Sequence, residues 1–185
     1  MRVSREQFHE NREKILDEAA RLFRERGFES VGVADVMKAA GLTHGGFYGH
    51  FKSKDDLIGQ AACEASAEVL ARWSRIVDEL GEGALPALAE RYLSDVHRRA
   101  PGQGCTVAAL GPEIARRPPE ARSAFTAALK KLVEVIQRGT PGRTEAEKRR
   151  RALAAYSSWI GALLLARISD DDAFSREVLQ AVAEG

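Results

Sequence analysis

One apolar stripe constrains this chain more than any other feature. Ile58, Ala62, Ala65, Val69, Trp73, Ile76 and Leu80 step by three and four, which puts them on one face of an α-helix. Ser53 with Asp56 starts that helix, Asp standing where a capping box prefers Glu. Gly81 and Gly83 break it. The same period governs the rest of the chain. Phe8, Ile15, Ala19, Leu22 and Phe23 share a face between Ser4 and Arg26, with Ser4 and Gln7 as a capping box and Gly27 as a stop. Short helices fit Val33 to Ala40, ended by Gly41, and Thr43 to Gly49, with Thr43 as N-cap. Further helices fit Pro86 to Arg99, Cys105 to Arg116, Pro119 to Arg138, Glu145 to Ile168 and Asp172 to Glu184. Thr144 and Glu147 form a capping box for the penultimate one. Turns at Pro101-Gly102-Gln103-Gly104, Pro118-Pro119 and Gly139-Thr140-Pro141-Gly142 separate them. No strand alternation or fixed repeat is seen. The chain reads as all-α: an N-terminal three-helix unit over residues 1–53, then a C-terminal bundle over 54–185 entered by the long helix from about 54.

Composition narrows the class. Apolar residues make 44% and charged residues 30% of the 185, so a packed core is expected rather than disorder. The net charge of +1 excludes a highly basic coating protein but not a local basic patch. Cys63 and Cys105 are too few for a disulfide framework and suit a reducing cytosol. The stretch from Met1 to Phe8 is polar and unlike a signal peptide. The longest uncharged run, Ala152 to Ala166, has 15 residues, short of the ~20 that span a bilayer. A cytoplasmic protein is expected.

Residues 33 to 49 have helix-turn-helix spacing, with Gly41 at the corner. Many α-hairpins share that spacing, but the charge pattern sharpens it. No acid occurs from Val36 to Lys54, while Lys38, Lys52 and Lys54 are basic and His44 and His50 can become so. Such a surface suits a polyanion. The first 56 residues hold ten acids and ten Lys or Arg, so the patch is local.

The stretch VADVMKAAGLTHGGFYGHFKSKDDL, Val33 to Leu57, resembles the DNA-binding segment of the TetR family of bacterial transcription regulators. The Ala39-Ala40-Gly41-Leu42 turn, Gly46, Phe47-Tyr48, His50-Phe51 and Ser53-Lys54-Asp55-Asp56-Leu57 carry the resemblance. Leu22-Phe23 and Gly27-Phe28 add to it. Beyond about residue 57 the likeness is one of length and helical layout. The resemblance implies a helix-turn-helix regulator, a homodimeric repressor released from a pseudo-palindromic double-stranded operator by a small-molecule inducer.

Roles follow position by position. Thr43 caps the recognition helix, where its hydroxyl and free N–H groups meet phosphate. His44 and Gly45 open that helix toward base edges. Tyr48 offers its phenol to phosphate, and His50 completes the set. Lys52 and Lys54 supply charge to the backbone, Lys54 at the start of the long helix. Phe47 and Phe51 lock the helix into the core with Val36 and Leu42. The pattern departs from the family where Val31 and Gly32 stand in place of a phosphate-binding Ser or Thr. Three glycines, Gly45, Gly46 and Gly49, cost the helix about 1 kcal/mol each relative to Ala and leave few base readers, which favours shape readout.

Farther along, Ala152 to Ala166 is apolar nearly all round and needs cover on several sides. The last helix covers one side, and the resemblance implies that a second copy covers another, through Trp159, Leu163, Phe174 and Val178. Candidate lining for an inducer pocket is Trp73, Tyr92, Cys105, Leu110, Phe125 and Trp159, positions that core packing explains equally well. Cys105 opens a helix, a place that lowers thiol pKa, with His97, Arg98 and Arg99 upstream; a sensor of electrophiles or oxidants and a buried small residue both fit. Lys148-Arg149-Arg150-Arg151 and Arg116-Arg117 read as solvated faces. The four histidines, His9, His44, His50 and His97, lack metal-site spacing, so no metal or cofactor is expected. No nucleotide loop or nucleophile elbow points to an enzyme. The alternative to a regulator is a helical protein-interaction module without DNA binding.

Overall fold

A computed structural model describes residues 4–185, all of whose regular elements are helical. Met1, Arg2 and Val3, at the head of the polar N-terminus, lie outside the described residues. Ten α-helices follow in order: α1 Arg5–Arg26, α2 Val33–Ala39, α3 Phe47–His50, α4 Lys54–Leu80, α5 Ala84–Tyr92, α6 Asp95–Arg99, α7 Thr106–Ala115, α8 Pro119–Arg138, α9 Glu145–Ile168 and α10 Asp172–Ala183.

Local chemistry sets most of the ends. The Ser4, Ser53 and Thr144 hydroxyls accept from the N–H of Gln7, Asp56 and Glu147, each satisfying an orphan donor of the first turn. Asp56 closes its box one residue early, its carboxylate accepting from Lys52 N–H at 2.9 Å. At Gly27 two demands coincide. Its φ is +80°, and a Cβ there would lie 2.7 Å from the Glu113 carboxylate. Only glycine meets both.

Three expected helices differ in detail. The segment from Pro86 to Arg99 is two helices. The chain breaks at Leu93 and Ser94, where the Ser94 hydroxyl accepts from His97 N–H and starts α6 afresh. The recognition helix from Thr43 is a 3₁₀ turn, His44–Gly46, running into the single α-turn of α3. Thr43 makes no side-chain cap there. Cys105 is the N-cap of α7 rather than its first residue.

Two cores share α4. The N-terminal core joins Ile15, Phe23, Phe28, Met37, Phe47 and Phe51 to Leu57 and Ile58 at the start of α4. The second joins Trp73 and Val77, farther along α4, to Leu88, Tyr92, Ile136, Tyr156, Trp159 and Leu163. Leu110 of α7 sits in the first core and Ala108 in the second, so α7 belongs to both.

Candidate nucleic-acid interface and cavity

The recognition element is anchored from behind. Phe47 is fully buried and stacks on Phe51, ring centroids 5.7 Å apart. Arg12 of α1 holds its far end: its guanidinium lies 4.6 Å from the Phe51 ring centroid and donates to the His50 carbonyl at 2.7 Å. It also donates to the Gln60 side chain, tying in α4. Cation–π and carbonyl contacts from one guanidinium fix both the tilt and the end of the short helix.

With the apolar side pinned, the other side faces out. Tyr48 is 71% exposed. Thr43, His44, Gly45 and Lys52 are exposed beside it, and Lys54 begins α4 at the same end. Gly41 turns the corner between α2 and α3 with φ +71°. His50 is the exception among the residues expected to meet DNA. Its ring stacks on Phe8, centroids 4.2 Å apart, and its Nδ1 is buried without a partner. Burial and the Arg12 charge both push its pKa down. His50 is therefore an inward-packed, neutral residue rather than one aimed outward with Tyr48.

The C-terminal half holds a cavity of about 590 Å³ that is open to solvent on one side. Its wall includes Trp73, Tyr92, Cys105 and Phe125 of the six expected lining residues. Leu110 is not among them, because its face of α7 is committed to the N-terminal core. Trp159 is not either: it packs behind the wall, edge-on to Trp73 with centroids 6.1 Å apart. His97 and Tyr156 join the lining instead.

The inner end of the cavity is held by a short chain of hydrogen bonds. Cys105 N–H donates to His97 Nε2 at 2.9 Å. That acceptor role places the ring proton on Nδ1, which donates to the Tyr92 carbonyl at 2.6 Å. Burial lowers the His97 pKa, consistent with this neutral tautomer. Cys105 Sγ lies 3.5 Å from the Tyr156 hydroxyl. Arg98 and Arg99, which the sequence puts close enough to assist the thiol, are held in ion pairs with Asp95 and Asp172.

Between cavity and head runs α7. Cys105, Thr106 and Val107 line the cavity at its start. At its other end the Glu113 carboxylate accepts from Phe28 N–H at 2.8 Å. Arg117 follows, bridging Glu29 and Asp55 at 3.1 Å each and lying over the Phe28 ring. Arg117 is therefore a tie between parts, not a solvated residue as expected. The turn before α7 is held too: Arg24 of α1 donates to the Gly102 carbonyl at 2.8 Å. Arg12, Arg24, Glu113 and Arg117 have no local sequence signature. Each acts on a residue at least 38 positions away.

The apolar face of the last two helices is displaced from expectation. Trp159 and Leu163 are buried inside the chain's own core rather than on its surface. Leu153, Leu164, Leu165, Ile168 and Phe174 are exposed instead, and Val178 is partly covered. The basic run of α9 is largely engaged, Lys148 with Glu82 at 2.6 Å and Arg151 with the Pro141 carbonyl at 2.7 Å. Among the described residues no helix is long and apolar enough to cross a membrane. No group of three or more His, Cys, Asp or Glu among them is placed to hold a metal ion.

Residues 15–61 match the family model described as bacterial regulatory proteins, tetR family. The transcriptional regulator AcuR of Cereibacter sphaeroides is 33% identical over 162 residues, covering 78% of this chain and 70% of that protein. The repressor NemR of Escherichia coli is 26% identical over 174 residues, covering 87% and 86%. The crystal structure of NemR in its reduced form superposes with a TM-score of 0.81 at 22% identity, covering 95% of this chain and 94% of that one. A shorter match, 42% over 59 residues, is with the regulator AcrR of Shigella flexneri, covering 32% of this chain and 27% of that protein. The chain belongs to the TetR family of bacterial regulatory proteins and is a helix-turn-helix transcriptional regulator.

Proposed function

We propose that the chain is a homodimeric repressor that binds a pseudo-palindromic operator and is released from it by a small molecule held in the C-terminal cavity. The observation that carries this is Tyr48. A large aromatic residue stands 71% exposed on a helix whose other aromatics are buried, inside a stretch free of acids from Val36 to Lys54. An edge contact with the Phe47 ring, centroids 5.2 Å apart, leaves the phenol in solvent, where it is offered to phosphate. Thr43, His44, Gly45, Lys52 and Lys54 surround it as the contact set, in a head spanning residues 1–53. His50 supports them from behind. The name of the relative NemR as a repressor supports the same sign of regulation.

The second copy docks on the outer face of α9 and α10. Leu153, Ser157, Gly161, Leu164 and Ile168 fall on one side of α9, and Phe174 extends it. An exposed apolar strip of this length is a liability in a monomer and an asset in a two-fold interface. A dimer presents two recognition elements to successive major grooves.

Coupling runs along α7. A ligand with different affinity for two positions of Cys105 to Val107 shifts α7. Glu113 and Arg117 pass that shift to Phe28, Glu29 and Asp55. The effect on DNA is to change where the two heads sit.

Fluorescence anisotropy with the intergenic DNA upstream of the chain's own coding sequence tests the reading. Nanomolar binding that weakens steeply with salt is expected, together with a loss of at least tenfold in a Tyr48→Ala, Lys54→Ala double variant. Weak binding, indifferent to salt and to both substitutions, would move the search to a protein partner for the apolar C-terminal face.

A further inference from the structure

The cavity has two ends of different chemistry. One is apolar, formed by Val69, Phe125 and Leu132, while Trp73 packs edge-on to Tyr92 and Tyr156 at the other. The other gathers Tyr92, His97, Cys105 and Tyr156. Hydrogen-bonding capacity at the second end can be assigned group by group. Both ring nitrogens of His97 are occupied, one by the Tyr92 carbonyl and one by Cys105 N–H. The Tyr156 hydroxyl pairs with the Cys105 sulfur. The Tyr92 hydroxyl has no partner, although only 3% of the residue is exposed, and behind the wall Arg167 Nη1 is also buried without one. A buried hydroxyl left unpaired costs free energy that phenylalanine, filling almost the same space, avoids. The polar atom is therefore suited to something the chain itself does not provide.

The charges around it define what that something is. Arg72, Glu90 and Arg91 also line the cavity but are exposed to solvent. Arg167 is close to the inner end without being part of the wall. It lies behind Gly104, where a Cβ would come within 2.9 Å of its Nη2, and it donates to the carbonyls of His97 and Arg98. Its charge favours an electron-rich atom beside Tyr92 and disfavours a cation. The cations of the wall, Arg72 and Arg91, are exposed and hydrated, so a carboxylate beside Tyr92 gains less from them than it loses on desolvation. A neutral oxygen acceptor meets both conditions. The apolar end takes the remainder of such a molecule, and about 590 Å³ falls in the range of pockets that hold drug-sized ligands.

We propose that the cavity binds an uncharged molecule with an apolar body and one carbonyl-type oxygen, which accepts the free proton of the Tyr92 hydroxyl. This rests on the reading of the C-terminal bundle as a receptor and adds the chemical class of what it receives. Burial raises the Tyr92 pKa, so the phenol remains a donor. Tyr156 makes a contrasting neighbour, since its hydroxyl is already engaged.

Four probes with one phenylalkyl body separate the possibilities: 4-phenyl-2-butanone, 3-phenylpropanoate, 4-phenylbutylamine and butylbenzene. Binding is read on the full-length protein as saturable quenching of tryptophan fluorescence, Trp73 being part of the wall. In the wild type the ketone binds most tightly of the four. Tyr92→Phe weakens the ketone at least fivefold and changes butylbenzene less than twofold. Tyr156→Phe changes the ketone less than twofold. The inference is overturned if Tyr92→Phe leaves ketone affinity unchanged, if it weakens butylbenzene equally, or if the anion or the amine binds best. The wild-type ranking tests it without any variant. Binding of all four that ignores Tyr92 overturns the inference alone; no saturable binding by any of them overturns the receptor reading with it.

Discussion

The head and the C-terminal bundle are both helical, and both are built around buried aromatics, yet they use them in opposite ways. In the head, Phe23, Phe28, Phe47 and Phe51 are purely apolar, and their packing leaves no hydroxyl to satisfy. They make a rigid mount for a few exposed residues. In the bundle, Tyr92 and Tyr156 are as deeply buried but carry polar atoms to the edge of a cavity. One of those atoms faces the cavity unpaired, whereas the unpaired atom of the head, His50 Nδ1, belongs to a ring stacked on Phe8. A surface that reads a rigid duplex gains from a mount that does not move. A receptor that must answer a ligand gains from a region whose interactions are incomplete without it.

That contrast can be broken most directly at Phe47. Truncation to Ala removes a fully buried ring from a core with no slack and should cost about 3–5 kcal/mol. Chemical denaturation would show it, together with loss of DNA binding. A cost under about 1 kcal/mol would mean that the head repacks as readily as the cavity does, and the comparison would fail.

Glu113 probes the tie between the two regions. Glu113→Ala leaves Phe28 N–H without its charged acceptor, which should cost about 1–3 kcal/mol. The sharper consequence is functional: ligand should still quench tryptophan fluorescence but release DNA less completely. Parallel titrations of quenching and anisotropy would check this. Undiminished release would remove α7 from the coupling route.

The smallest effect concerns pH. Each region holds a histidine whose pKa burial lowers from the usual 6.5, His50 in the head and His97 in the bundle. Below about 6.5 the unfolded chain takes up protons that the folded chain refuses. Stability is therefore complete above that value and declines as pH falls through the folded-state pKa values. His97 loses one hydrogen bond if Nε2 gains a proton, because Cys105 N–H then has no acceptor, while Nδ1–H still donates to the Tyr92 carbonyl. Urea unfolding between pH 5 and 8 should show a slope that His97→Gln flattens more than His50→Gln. The reverse order would put the more pH-sensitive packing in the head.

The difference between the regions also explains what could be read in advance. In the head, the turn at Gly41, the cap at Ser53 and the exposed Tyr48 are set by residues within a few positions of one another, and local patterns reveal such features. The stacking of His50 on Phe8 is not visible in any local pattern, because Phe8 lies 42 positions away on α1. In the bundle, the helices Pro119–Arg138 and Glu145–Ile168 begin and end where periodicity and breakers put them. Their facing was less legible. A helix apolar all round, such as the middle of α9, does not declare which side is core and which is surface. Trp159 and Leu163 therefore looked available to a partner while the fold had enclosed them. The break at Leu93 and Ser94 was hidden because a serine inside a helical pattern is as compatible with a solvated position as with a new N-cap.

The sequence by itself determined the helical class, the caps at Ser4, Ser53 and Thr144, the helix-turn-helix and its acid-free surface, because all of these follow from interactions along the chain. Only the tertiary structure decided that α7 joins the cavity to the head, that Leu110 serves one core while Cys105 serves the cavity, and that Tyr92 keeps a free proton there. The physical reason is reach. Capping and periodicity act over one or two helical turns, whereas an unpaired hydroxyl is defined by every group that could have met it, and those groups come from α5, α6, α7 and α9.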